Sequence, residues 1–233
     1  MPVFSSTGKK CLVLFLTLTC LVVSVIVRAE DGKNQAPTDW YTTVYIGQLT
    51  SNDIREFFQF QADFVPSTML TVAVGREFWR YHDYFALELE GQLAKYFGEY
   101  TFECDTRECR GLPPEQRARK TQDHMEINGV LVFRWLDLPW DRYMDTSFAV
   151  GEGLSYATRV PAVEENLHME TFGFEYRTST LLNYLMFEMA FSLPQYRQWQ
   201  LVARIHHRSS VFGLLADSNS GSNTLGVGIR YEF

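Results

Sequence analysis

A base, a hydroxyl and an amide fall at strand spacing near the end of the chain. Residues 204–226 read Arg-Ile-His-His-Arg-Ser-Ser-Val-Phe-Gly-Leu-Leu-Ala-Asp-Ser-Asn-Ser-Gly-Ser-Asn-Thr-Leu-Gly. Trp199, Leu201, Ala203 and Ile205 take alternate positions, and the same alternation continues to His207 and Ser209. In a strand, residues two apart share a face. His207 and Ser209 are therefore predicted on one face, with Arg204, His206 and Arg208 on the other. In the following segment Leu225, Val227, Ile229, Tyr231 and Phe233 alternate with Gly226, Gly228, Arg230 and Glu232, which puts Asn223 on the face of Leu225. A hydroxyl, an imidazole and a group that holds the imidazole are the parts of an activated serine nucleophile. The pair His206-His207 is a poor metal site, since neighbours in a strand diverge to opposite faces, and no metal or organic cofactor is expected.

The elements that must position these residues are strands. Period-2 alternation recurs along the chain. Over residues 85–97 Phe85, Leu87, Leu89, Leu93 and Phe97 oppose Glu88, Glu90 and Gln92. Over residues 125–135 Met125, Ile127, Leu131, Phe133 and Trp135 oppose Glu126, Asn128 and Arg134. Eight strands are expected near residues 40–49, 67–78, 84–97, 124–135, 142–156, 179–192, 198–209 and 222–233. Long connections (50–66, 98–123, 157–178, 210–221) then alternate with short ones (79–83, 136–141, 193–197).

Three features distinguish a membrane barrel from a soluble sandwich. The polar face carries both signs of charge, as a small closed barrel interior requires. The apolar face persists over about 10 residues, enough for a tilted strand to cross hydrocarbon. Aromatics (Trp79, Tyr81, Tyr84, Trp135, Trp140, Tyr143, Tyr196, Trp199) gather near the short connections as an interfacial girdle. The chain also ends Tyr231-Glu232-Phe233, which resembles the terminal signature of bacterial outer-membrane barrels. The expected fold is all-β: an eight-stranded antiparallel transmembrane β-barrel of the bacterial outer membrane, spanning residues 39–233. Simple alternation places Glu152 on the lipid side of its strand; a bulge that turns it inward is the expectation.

Residues 1–29 read as a cleaved signal peptide: basic Lys9 and Lys10, an apolar run over 11–27, and Val27-Arg28-Ala29 as the cleavage site. Residues 30–38 form an N-terminal lead. The signal removes three basic residues and no acidic one, so the formal charge of −7 becomes −10. Such a chain offers no broad basic face to nucleic acid. Hydrophobic residues at 46% exclude general disorder, and a single long apolar run excludes a bundle of membrane helices. In an exported chain Cys104 and Cys109 are read as a local disulfide on an external loop.

The segment 204–233 resembles the lipid A 3-O-deacylase family, eight-stranded outer-membrane esterases with a motif His-x-Ser-Asn-x-Gly-Leu followed by an Asn-x-Gly loop and a Glu entering the last strand. His207-Arg208-Ser209 matches His-x-Ser, residues 211–214 match the next segment with one extra residue, and Asn219-Ser220-Gly221 matches the loop. Ser210 stands where the family has Asn, and Asn223 where it has the acid. The resemblance implies His207 as base, Ser209 as nucleophile, Asn223 as the orienting third group, and Ser210, Asn219, Gly221 and Arg208 as oxyanion-holding or substrate-positioning residues. Arg208 can equally pair an internal acid. Asp217 and Glu152 are candidate acids to stand in for the missing one. The implied partner is lipid A or another outer-leaflet lipid. Two functions stay open: an esterase removing an ester-linked acyl chain from lipid A, and a non-catalytic structural or interaction barrel that has lost the acidic member.

Overall fold

The computed structural model describes residues 40–51, 54–57, 59, 62–101, 119–136, 138–141, 143–164, 177–211, 213–216 and 220–233. The expected signal peptide at 1–29, the expected lead at 30–38, Cys104, Cys109, Asp217 and Asn219 lie outside them.

The strands are β1 (Trp40–Thr50), β2 (Phe64–Tyr81), β3 (Phe85–Thr101), β4 (Arg119–Thr121), β5 (His124–Trp135), β6 (Asp145–Ala157), β7 (Leu181–Ser192), β8 (Trp199–Ser209) and β9 (Gly221–Glu232), with one helical turn, α1 (Ile54–Phe57), after β1. All but β4 form a ring. Each pairs antiparallel with its neighbours in the order β2-β1-β9-β8-β7-β6-β5-β3, and β2 closes on β3. The short β4 only extends β3 above the ring, opposite residues 99–101. The result is a closed eight-stranded antiparallel barrel without a free edge. Closure satisfies the backbone where a bilayer offers no water. At about 3.3 Å per residue and a tilt of about 40°, the 11 residues of β8 rise about 28 Å, close to a hydrocarbon core.

The barrel is inverted relative to a soluble one. Val44, Ile46, Leu70, Val72, Leu89, Ile127, Leu201 and Ile229 are exposed on the outer wall. Arg134, Arg204, Arg208, Glu88, Glu90, Glu126 and Glu188 are buried inside. The interior charges neutralise one another. Arg134 Nε donates to Glu88 at 2.7 Å and its Nη2 to Glu188 at 2.7 Å. Arg204 reaches Glu188 at 2.7 Å and Glu90 at 2.8 Å. Arg230 chelates Glu88 at 2.9 and 3.1 Å and lies 3.5 Å over the Tyr41 ring. Further along the bore, His206 holds Glu126 at 2.9 Å through Nε2 and meets Tyr45 and Tyr184 at Nδ1. Side chains therefore fill the bore, as expected for eight strands.

Trp40, Tyr81, Tyr84, Trp140, Tyr143, Tyr196, Trp199 and Phe233 are exposed at the end with the short connections. The strand expected from 142 begins at Asp145 instead. Asp141 captures the preceding backbone: its carboxylate accepts from Leu138 N at 2.8 Å and Thr146 N at 3.1 Å, a side-chain turn that competes with the ladder. The bulge expected at Glu152 is absent. The β6 register runs without a shift on both sides, Leu131↔Glu152 and Glu152↔Leu185, so Glu152 stays on the outer wall.

Breaking a buried pair leaves uncompensated charge and costs about 3–5 kcal/mol. Arg204→Met, which strips Glu90 and Glu188 of a guanidinium, should therefore lower the urea midpoint of the micelle-embedded barrel sharply. Val227→Leu on the outer wall should leave it within about 0.5 kcal/mol.

Candidate active site

The β8–β9 hairpin positions the candidate residues by register. β8 runs from a short connection toward a long one, so its last residues reach the long-loop end of the wall. His207 lies opposite Asn223 of β9 and Leu185 of β7, and Ser209 lies opposite Gly221 and Asn183. Both are half-buried and on the outer face, while His206 and Arg208 are fully buried in the bore. The divergence of His206 and His207 follows directly from the pleat.

His207 Nδ1 sits 2.6 Å from Asn223 Oδ1. An amide oxygen only accepts, so Nδ1 carries the proton and donates. In the neutral ring this leaves the lone pair on the opposite nitrogen, Nε2, as a general base requires. Asn223 is itself held: its side chain is buried, and its carbonyl accepts from Thr50 Oγ1 at 3.3 Å. Ser209 projects from the same face as the ring, two residues and about 6.6 Å along the strand. Gly221 opposite Ser209 leaves no side chain on the β9 side of the hydroxyl.

Two expected site residues are elsewhere. Arg208 points inward, donating to Glu164 at 2.8 Å and to Ser155, with Glu126 at 3.5 Å. It pairs internal acids and cannot touch a lipid on the wall. Ser210 is also buried. Its N–H donates to Ser220 O at 3.0 Å and its carbonyl accepts from Leu215 N at 3.0 Å. Its backbone amide is thus used in closing the loop and is not free to hold an oxyanion. The turn that follows places Val211 at φ 51° and Gly213 at φ 92°. A β-branched residue pays about 1–3 kcal/mol for that backbone. The Arg177 guanidinium donates to Gly213 O at 2.9 Å, tying this turn to the preceding long connection.

The wall also holds polar residues that the sequence reading passed over. Asn183, directly opposite Ser209 and diagonal to Glu152 across the β6–β7 pair, is buried. On the other flank Gln48 donates to Val65 O and accepts from Thr68 Oγ1 at 3.2 Å. Together with His207, Ser209 and Asn223 they make a polar band across the wall. Asn183 had a readable signal: it interrupts an otherwise apolar outward series in β7.

No family model matches the chain, and no curated protein matches it in sequence. Among solved structures it is similar to the outer membrane enzyme PagL, at 8% identity over 82% of this chain and 98% of that one, with a TM-score of 0.49. It is also similar to Neisserial surface protein A, at 10% identity over 86% and 100% and a TM-score of 0.47. The outer-membrane protein Ail of Yersinia pestis aligns at 10% identity over 85% and 100% with a TM-score of 0.39. At these values the architecture rests on the strand pairing of the chain itself.

Because Asn223 fixes the imidazole tautomer, ¹⁵N spectra of the labelled barrel should show His207 neutral and protonated at Nδ1. In Asn223→Ala the ring should redistribute between tautomers, with His206 unchanged.

Proposed function

We propose that the protein is a bacterial outer-membrane esterase that hydrolyses an ester-linked acyl chain of lipid A, exported by a signal peptide over residues 1–29. The supporting observation is the 2.6 Å contact that holds His207 on the lipid-facing wall beside Ser209. Polar groups facing hydrocarbon cost several kcal/mol unless paired, and a wall needs none of them to fold. The resemblance of residues 204–233 to the lipid A 3-O-deacylases supplies the substrate class.

In the proposed reaction His207 Nε2 takes the Ser209 proton as Oγ attacks the ester carbonyl carbon. The C–O bond to the sugar breaks, and His207 returns the proton to the departing alkoxide. Water, deprotonated by the same imidazole, then releases the fatty acid from Ser209. Asn219 and backbone N–H groups of the loop beyond Ser210 are the proposed oxyanion donors. Asn223 orients the ring as the Asn of a Cys-His-Asn protease does, but its neutral amide lends the imidazolium no negative charge. That same neutrality favours the second reading, a barrel of this ancestry that no longer turns over lipid.

Mass spectrometry of lipid A from cells expressing the protein decides between them. The wild type should yield a species lacking one acyl chain, and Ser209→Ala or His207→Ala at matched membrane levels should reduce it about 10³-fold or more. Unchanged lipid A with well-folded wild-type barrel would overturn deacylation of lipid A. If the esterase reading holds, Asn223→Asp keeps an acceptor at Nδ1 and adds the missing charge. It should raise kcat about tenfold or more, with KM little changed.

A further inference from the structure

Glu152 is the least explained residue on the outer wall. It lies mid-strand, flanked along β6 by Val150 and Leu154 and faced across the sheet by Leu131 and Leu185. Asn183 lies diagonally across from it on β7, and its Oε1 is buried without any partner. A carboxyl group in this setting is costly, and ionisable groups at membrane depth are functional by default. The interior offers no structural reason for it, because every buried guanidinium is already matched to other acids.

Its position relative to the hairpin is specific. The row Glu152–Leu185–His207–Asn223 runs straight across four strands, and in the next row Asn183 lies diagonal to Glu152 and opposite Ser209. Two strand spacings, about 9.6 Å, separate the Glu152 and His207 backbones. Leu185 stands between them and His207 Nδ1 is already held by Asn223, so Glu152 is not the third member of a triad. The spacing is right for Glu152 to meet another part of a lipid whose ester lies at Ser209. Diagonal to Glu152, the paired Gly91 and Gly129 recess the wall, and a Cβ at Gly129 would meet nothing within 4 Å.

We propose that Glu152 is a substrate-positioning residue that accepts a hydrogen bond from a hydroxyl or amide N–H of the bound lipid, about 10 Å or less from the scissile ester. The acceptor selects lipids with a donor beside the ester, such as a 3-hydroxyacyl or amide-linked neighbour. It discriminates against diacyl glycerophospholipids, whose glycerol region carries acceptors only. Asn183, diagonal to Glu152 and opposite Ser209, continues the polar band between the two. The inference rests on the esterase reading only for what happens at Ser209; the donor site itself is a binding claim.

The test therefore separates binding from turnover. Ser209→Ala barrel in detergent micelles is titrated with N-acyl-O,O-diacyl serinol, whose amide N–H is its one donor, and with its N-methyl analogue, and bound lipid is read by native mass spectrometry. One hydrogen bond to the carboxyl group predicts about 2- to 10-fold preference for the N–H form. Adding Glu152→Leu should erase the preference. Because it replaces a stranded polar group with an apolar one, it should also raise the urea midpoint. Absence of the preference in the Glu152 protein, its survival in Glu152→Leu, or a fall in midpoint on Glu152→Leu each overturns the proposal. So does a dimer in the same spectra that Glu152→Leu dissolves without any lipid preference, since Glu152 would then bond a second copy. The Ser209 protein is run in parallel on both lipids. Donor preference without hydrolysis overturns the esterase reading and leaves the donor site standing. Hydrolysis of both lipids with equal kcat/KM does the reverse.

Discussion

A backbone N–H or C=O in hydrocarbon has no water to fall back on, and that constraint organises the rest of this molecule. It forces the eight long strands to pair on both sides, and pairing on both sides forces a ring. Once the ring closes, each strand residue has only two addresses, bore or wall, and the pleat assigns them by turns except at the register shifts of β2 against β1 and β3. Local chemistry has little say. Glu152 remains outside although the wall is apolar, and His206 and His207 part company although they are adjacent.

The bore accommodates what the wall rejects. Four arginines and their acids interlock with tyrosines and a histidine, so the interior is polar but compensated. Its stability contribution is modest, since desolvation offsets most of the attraction between buried ions. What the lattice supplies is filling: a cylinder of fixed bore whose outer surface is held in register. The His207–Asn223 contact depends on that register, because a slip of one residue between β8 and β9 would send Asn223 into the bore.

The sequence made the architecture readable to the extent that alternation could be counted. Strand positions, the loop pattern and the faces of His207, Ser209 and Asn223 all follow from period 2 and agree with the pairing. What escaped has physical reasons. Four residues of α1 and three of β4 are too few to show a period. Asp141 displaced the start of β6 through side-chain bonds that alternation does not encode. Arg208 was left with two destinations because its acid partner Glu164 lies 44 residues away, and Ser210 was read from a neighbouring motif rather than from the loop bond that uses its amide. Asn183 was visible as a polar break in β7, but its meaning needed the cross-strand partner Ser209.

The interior lattice also shapes how the barrel must form. Glu88 and Arg230 are 142 residues apart, and Glu90 and Arg204 are 114 apart. Neither pair can exist while the first and last strands are separate. A half-built sheet would hold its glutamates and arginines unpaired, at a cost of several kcal/mol per ion if hydrocarbon reached them. Partial structures are therefore penalised on both counts, open edges and stranded charges. The final seam between β1 and β9 redeems many such deficits in a single event, which makes assembly cooperative and places its commitment step at the end of the chain.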